Sequence, residues 1–387
     1  MKKSLRNFLP FLSLLLLPFY SSIETYPLSA DALDTNPIGL KLYQIKSPAS
    51  FHTVLQENFI SHGNRNIQNF AKANAELSKP DALRFSWEAK NLEKSANPNY
   101  SFKISENQNF ENARIYQTKN TYIDVYNLKL ATRYYYQVST TFNEESSISE
   151  VKYFSTEKSV IRNLNIDGVM NARDLGGWRN REGKFMVKQG LLFRSGPFNA
   201  SNAKTYQVTI TSSGLAETKQ LGIKTEIDLR RTDNGETGQA KKSPLGTNVK
   251  YINAPINWDI PESALVNADN IASIKTVFET LGDANNYPLI FHCTAGADRT
   301  GLIAFLINGL LGVSEADLYR DYLFTNFSNV SWIRQKSNIT NEWLKTIKKE
   351  NGFTLQDQIT HFLRKIGVSL SDLVSLYNIM QEEGYRP

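Results

Sequence analysis

The spacing of hydrophobic and polar residues follows different rules in the two halves of the chain. Between residues 82 and 157, hydrophobic side chains occupy every second position of short runs, as at Leu83, Phe85 and Trp87, and turn residues separate these runs. This alternation is typical of half-buried strands, and several short strands at this spacing indicate a β-sandwich. Residues 56–80 do not fit the pattern, and we expect a helix or an insertion there.

From about residue 160, short runs rich in β-branched residues alternate with helical segments. The runs are GLLFRSG, KTEIDLR, KYINAPI and YPLIFHC, and helices are expected around 213–221 and 266–282. Strand–helix alternation indicates an α/β domain with a mainly parallel central sheet. The pattern after residue 300 is helical almost throughout. Hydrophobic side chains surround the segment 302–311 on all sides, which is typical of a buried helix.

The first 32 residues have the layout of a secretory signal peptide. Lys2, Lys3 and Arg6 form a positive start, residues 8–20 are mostly apolar, and Ala30-Asp31-Ala32 offers a cleavage site. The apolar run is short for a membrane span, which needs about 20 residues. We therefore expect export from the cell, cleavage between residues 22 and 32, and no transmembrane span after cleavage. An uncleaved N-terminal anchor is the alternative.

Composition limits the chemistry that this protein can perform. Its single cysteine, Cys293, excludes a disulfide within the chain and every zinc or iron–sulfur site that needs two thiolates. We predict neither a metal nor a cofactor. The formal charge of +6 is mild and no compact block of lysine and arginine stands out, so composition does not indicate nucleic-acid binding. Outside the cell an unpaired thiol is open to oxidation. An exported protein that keeps one is therefore expected to use the sulfur for a specific task.

The neighbours of Cys293 indicate what that task is. An apolar strand leads into Cys293, a short loop follows, and Arg299-Thr300-Gly301 begins the buried helix. Ligands bind at such strand ends in open α/β sheets, and loop N–H groups together with a helix N-terminus can hold a phosphate. The same field lowers the pKa of a thiol. Arg299 can grip two phosphoryl oxygens at once, and Thr300 can donate a hydrogen bond to the sulfur. The predicted phosphate cradle consists of Thr294, Ala295, Gly296, Ala297 and Thr300.

Four motifs in order carry a family resemblance. They are NARDLGGW (171–178), GLLFRSG (190–196), LGIKTEIDLRR (221–231) and HCTAGADRTG (292–301). Together they resemble the bacterial secreted tyrosine/lipid phosphatases, within the cysteine-dependent protein-tyrosine phosphatases. The resemblance implies a phosphatase fold over residues 160–387, a cysteinyl-phosphate intermediate and no metal. The earlier strands resemble a fibronectin type III module over residues 36–157.

The resemblance also suggests roles for individual residues. Cys293 matches the nucleophile, Arg299 the phosphate clamp, and Asp298 an aspartate that the family uses as general acid. The general acid stays open, because Asp298 can equally be a loop-fixing acceptor, and Asp259 and Asp228 are alternative donors. Ala297 stands where the family loop usually has lysine, which lowers the expectation of phosphoinositide turnover.

Two further interpretations concern the arginines of these motifs. Arg173 and Asp174 are expected to form a buried pair that braces the loop. Arg194 and the pair Arg230-Arg231 are considered as the lining of a path for a phosphopeptide, although exposed arginines are usually only solvated.

The sequence thus predicts a signal peptide over 1–32, a fibronectin type III-like β-sandwich over 36–157 and a tyrosine-phosphatase-like α/β domain over 160–387. The expected activity is that of a secreted phosphomonoesterase, most simply a protein-tyrosine phosphatase, with a phosphorylated protein or phospholipid as substrate. A phosphoinositide or broad-specificity phosphatase with the same mechanism is the first alternative. A phosphate-binding adhesin with an inactive phosphatase domain is the second. Oligomeric state stays open.

Overall fold

A computed structural model describes residues 38–62, 75–91, 97–142, 144–199, 210–232, 236, 242–259 and 261–382. The predicted signal peptide lies outside these residues. Residues 38–387 cluster as one compact unit. None of the helices in the described ranges is both long and apolar enough to cross a membrane.

The N-terminal part contains two antiparallel sheets. The first has the order β1-β2-β5; in the second, β4-β3-β6-β7 are neighbours and β8 also pairs with β6. Large aromatic side chains from both sheets share one core, in which the ring of Phe85 lies against those of Phe102 and Tyr136. Tyr134 accepts a hydrogen bond from the backbone N–H of Lys129. The likeness to a fibronectin type III module remains a prediction. The strands are β1 (Gly39–Leu42), β2 (Leu83–Lys90), β3 (Asn99–Ser105), β4 (Arg114–Thr118), β5 (Tyr122–Val125), β6 (Arg133–Phe142), β7 (Glu145–Ile148) and β8 (Lys152–Ser155).

The C-terminal part is built on a five-stranded sheet with the order β12-β11-β13-β10-β9. The first four of these strands run parallel, and the edge strand β9 runs antiparallel to β10. This agrees with the mainly parallel sheet that strand–helix alternation predicts. The strands are β9 (Arg173–Asp174), β10 (Leu192–Ser195), β11 (Thr225–Asp228), β12 (Lys250–Asn253) and β13 (Leu289–His292).

Helices pack around this sheet and follow it in the sequence. In α4 every residue from Arg299 to Leu310 is buried, as its continuous hydrophobicity predicts. A π-helical turn, Ile339–Leu344, joins two short helices into one longer segment. The helices are α1 (Val54–His62), α2 (Ser212–Gln220), α3 (Ala268–Gly282), α4 (Asp298–Leu310), α5 (Glu315–Phe324), α6 (Lys336–Asn338), α7 (Lys345–Ile347), α8 (Leu355–Lys365) and α9 (Leu370–Met380).

Helix α1 belongs to the core of the C-terminal part although it lies between β1 and β2 of the N-terminal sheets in the chain. Its Phe59 is fully buried, with its ring 5.5 Å from that of Phe327 and 6.2 Å from that of Phe324. Beyond it, the N–H of Leu77 donates to the carbonyl of Phe327. The N-terminal region therefore contributes directly to the packing of the C-terminal part.

Truncating Phe59 to alanine is expected to destabilise the whole protein. Removing a fully buried phenylalanine leaves a cavity and costs about 3–5 kcal/mol. Urea unfolding should show this loss in the transition that includes the C-terminal helices. Val54 on the same helix is 72% exposed, so Val54→Ala should change stability by no more than about 0.5 kcal/mol. Equal, small effects of both variants would show that α1 is not part of the core.

Candidate active site

The central strand β13 delivers Cys293 to the carboxyl edge of the parallel sheet. Residues 293–297 then form a loop, and α4 begins at Asp298. Gly296 in this loop has φ +64°, and a Cβ there would lie 2.5 Å from the carbonyl group of Ser195. Only glycine allows both this backbone conformation and this close approach. The loop is thus wrapped tightly between the sheet edge and the helix N-terminus.

The Cys293 thiol lies at the base of this loop and is only 2% exposed. Burial raises its pKa, but four interactions act against burial: the charge of Arg299, the hydroxyl of Thr300, and the backbone N–H groups of Thr300 and Ala295. Their combined effect lowers the pKa of Cys293 below its usual value. A thiol held in this way is available as a thiolate nucleophile. Its burial also argues against the disulfide-linked dimer that an exposed cysteine would permit.

Replacing Thr300 with valine should raise the pKa of the Cys293 thiol. The valine keeps the volume and removes the hydroxyl, which is one of the groups that lower the pKa of Cys293, so the thiolate loses one source of stabilisation. The rate of alkylation by iodoacetate follows the thiolate fraction, and its inflection should move to higher pH in Thr300→Val. Thr300→Ser, which keeps the hydroxyl, should retain the wild-type profile. An unchanged profile in the valine variant would show that the hydroxyl does not support the thiolate.

Arg299 lies over the loop in a fixed orientation. Its Nη2 donates to the Oγ1 of Thr294 at 2.8 Å, and its Nη1 lies 2.6 Å from Oε2 of Glu236, whose Oε1 accepts from Nη2 at 3.1 Å. Burial raises the pKa of Glu236, but the hydrogen bonds and charge of Arg299 lower it by more. The net effect is a pKa below the usual value, which favours the carboxylate form. The sequence analysis missed Glu236. Because two N–H groups share one carboxylate, the plane of the guanidinium is set before any phosphate binds.

Two buried side chains hold the carbonyl groups of the loop. Nδ2 of Asn171 donates to the carbonyl of Gly296 at 2.8 Å and to that of Ala295 at 3.2 Å. Nη2 of Arg194 donates to the same Gly296 carbonyl at 2.7 Å. Carbonyl oxygens anchored in this way cannot turn toward a bound anion. The loop is therefore preorganised to present N–H groups instead.

The expected pair of Arg173 and Asp174 does not form. Nε of Arg173 lies 2.8 Å from Oδ1 of Asp321 on α5, whereas Asp174 pairs with Nη1 of Arg162 at 2.5 Å. Each residue finds a different buried partner, Arg173 at 148 positions and Asp174 at 12 positions along the chain. Arg173 still supports the loop, because its Nη1 donates to the side chain of Asn171.

Arg194 likewise does not line a phosphopeptide path. It is fully buried, and its Nη1 lies 2.6 Å from Oδ2 of Asp321. Burial and the neighbouring Arg173 lower the pKa of Arg194 to about 10. Asp321 thus pairs with two arginines beneath the loop, and its place in α5 offered no sequence signal.

The three aspartates considered as general acid lie in different environments. Both carboxylate oxygens of Asp298 are engaged, one by Nη2 of Arg334 at 2.8 Å and the other by the hydroxyl of Tyr322 at 3.1 Å. The Asp259 side chain is 73% exposed and pairs with Nη1 of Arg231 at 2.8 Å. Asp298 is therefore fixed by its partners, whereas Asp259 is exposed.

Asp228, the third of them, is fully buried at the end of β11. It accepts hydrogen bonds from Arg230 at 2.7 Å and from the hydroxyl of Tyr251 at 3.0 Å. Burial raises its pKa, but His292 and Arg230 outweigh burial and lower it. A buried, ionised carboxylate with these partners is unsuited to donate a proton to a leaving group.

Comparison with known proteins places the chain in a family. The model of the tyrosine phosphatase family matches residues 164–370, more than half of the 387 residues. The chain belongs to this family.

Individual proteins that are similar to this chain share limited sequence identity with it or cover only part of it. A Cupriavidus necator protein named "Putative tyrosine-protein phosphatase" is 30% identical over 191 residues, which cover 44% of this chain and 65% of that protein. A tyrosine-protein phosphatase of Nostoc commune is 44% identical over 48 residues, 12% of this chain and 16% of that protein. The catalytic core of the PP-IP phosphatase SIW14 from S. cerevisiae has 15% sequence identity and a TM-score of 0.27, and the match covers 43% of this chain and 94% of that one. The chain thus spans just under two thirds of the first of these relatives.

In this tyrosine phosphatase family member, a buried ionic cluster lies behind the nucleophile. Glu226, Asp228 and His292 bring their ligand atoms within 4.8 Å of one another. Nε2 of His292 lies 2.9 Å from Glu226, which also accepts from Ser243. Burial lowers the pKa of His292, but the two carboxylates raise it above its usual value. With Arg230 on Asp228, the cluster already balances its charges by ion pairs, which leaves no free set of ligands for a metal ion.

Proposed function

We propose that this tyrosine phosphatase family member is a phosphomonoesterase, most simply a protein-tyrosine phosphatase. The single observation that supports this most strongly is the Cys293 thiol, held at the N-terminus of α4 with a lowered pKa beside Arg299. The sulfur attacks phosphorus, a phosphorus–sulfur bond forms, and the ester phosphorus–oxygen bond breaks. An aspartate protonates the leaving oxygen. Water then cleaves the phosphocysteine, which releases inorganic phosphate and regenerates the thiolate.

For the proton donor we propose Asp259. An acid must reach the leaving oxygen and carry a proton there. Both oxygens of Asp298 are held by Arg334 and Tyr322, whereas Asp259 is exposed on a loop and pairs with Arg231. That partner, Arg231, donates its backbone N–H to the same Glu236 carboxylate that grips Arg299. Asp259 is thereby linked to the phosphate clamp Arg299 through three contacts, by way of Arg231 and Glu236.

A phosphorylated protein fits this site better than a phosphoinositide. Ala297 is fully buried and packs against Met170 and Val330. The loop therefore presents no cation at this position for the additional phosphates of a polyanionic headgroup. The signal-like first 32 residues support export, so the proposed substrate lies outside the cytoplasm.

Trapping the phosphoenzyme tests this function. Reduced wild-type protein in EDTA should hydrolyse p-nitrophenyl phosphate, and acid quenching during turnover should retain phosphate on a peptide that contains Cys293. Turnover with the phosphate on another residue would overturn the mechanism. Phosphate binding without turnover or phosphoenzyme would favour the phosphate-binding adhesin instead.

A further inference from the structure

The catalytic loop meets solvent on one side. Within residues 293–299, Asp298 is the residue that is not buried. The segment 328–335 lies against this side of the loop. Its Val330 packs on the loop alanines, and its Arg334 pairs with Asp298. This segment therefore flanks the loop on the side of Asp298.

Trp332 lies between these two contacts and remains 45% exposed. The guanidinium carbon of Arg334 is 3.9 Å from the centre of the Trp332 ring system, and Nη1 of Arg334 donates to the Trp332 carbonyl at 2.7 Å. The guanidinium therefore bridges the indole and the Asp298 carboxylate. A cation stacked on an indole restricts the ring, so an exposed aromatic surface is held in place beside the loop.

We propose that Trp332 is the wall that receives the aromatic ring of an aryl phosphate monoester. This inference rests on the proposed function, because it requires the phosphate to lie in the loop of residues 293–299. The ring of phosphotyrosine extends outward from its phosphate and can pack against an indole in offset or edge-to-face geometry. A phosphoserine side chain is shorter and has no ring to stack. Trp332 would thus set specificity for aryl over alkyl esters and take no part in bond cleavage.

Calorimetric binding of two phosphate mimics separates this role from a structural one. Benzylphosphonate offers both a phosphate-like group and a ring, and inorganic phosphate offers only the anion. In Trp332→Ala, the Kd of benzylphosphonate should rise about fivefold while that of phosphate stays unchanged, and Trp332→Phe should recover most of the loss. Phe353→Ala, at a fully exposed phenylalanine outside this segment, should leave both values unchanged.

Other results would overturn the role proposed for Trp332. An equal rise in both Kd values would show that Trp332 acts through Arg334 and Asp298 on the loop itself. Unchanged values for both ligands would show that the ring does not contact the ligand. If the wild type bound phosphate but gained no affinity from the benzyl group, the role proposed for Trp332 would be wrong, while the proposed function would still stand. If the wild type bound neither ligand, the proposed function would fail first.

Discussion

Replacing Cys293 with serine should reduce phosphatase activity by at least about 10⁴-fold, because the variant loses the covalent step. Arg299, Thr300 and two backbone N–H groups stabilise a thiolate at this position. A serine hydroxyl is far less acidic than a thiol and stays protonated there, so it cannot attack phosphorus at a comparable rate. Steady-state hydrolysis of p-nitrophenyl phosphate by reduced protein in EDTA measures the loss.

Phosphate binding provides the control for this variant. Cys293→Ser changes one buried atom and leaves Arg299, Glu236 and the loop N–H groups in place. It should therefore still bind inorganic phosphate and unfold at a urea concentration close to that of wild type. Wild-type activity in the variant would remove Cys293 from the mechanism. A loss of activity together with a loss of folding would assign the effect to stability.

The strand, loop and helix around Cys293 could be predicted because they are adjacent in sequence. A strand, a loop with Gly296 and a helix beginning near Arg299 follow one another within a short segment, and this order indicates an anion site. The mainly parallel sheet was predictable for a similar reason, since each run of β-branched residues alternates with a helix.

The supports of the loop are not local, and the sequence did not reveal them. Glu236, Asn171 and Asp321 reach the loop or its arginines only through the tertiary fold. The expected pair of Arg173 with Asp174 is replaced by two separate pairs, Arg173 with Asp321 and Asp174 with Arg162.

Helix α1 shows the same limit at the level of the fold. Its pattern marked a break in the strand alternation but did not indicate which part of the protein the helix packs against. Phe59 packs against Phe324 and Phe327, more than 260 positions later in the chain. Sequence spacing predicts which face of an element is apolar, whereas the partner of that face depends on the whole topology.

Asp259→Asn should lower activity toward phenyl phosphate and phosphotyrosine by about 10²- to 10⁴-fold. The loss should be much smaller with p-nitrophenyl phosphate, whose leaving group departs without a proton. Asparagine keeps the size of the side chain and removes only the acid. The pH–rate profile should also lose its dependence on a protonated group. Comparing kcat across this series of leaving groups makes the measurement.

Asp298→Asn should behave differently, because Asp298 is the partner of the buried Arg334 guanidinium. Removing that negative charge takes away an ion pair of a buried guanidinium, which destabilises the protein and displaces the loop for every substrate alike. Its activity should fall by a similar factor for all leaving groups, and its unfolding midpoint should fall as well. The opposite pattern, with leaving-group dependence in Asp298→Asn and none in Asp259→Asn, would return the role of general acid to the aspartate within the loop. Arg334 would then have to release that carboxylate during turnover.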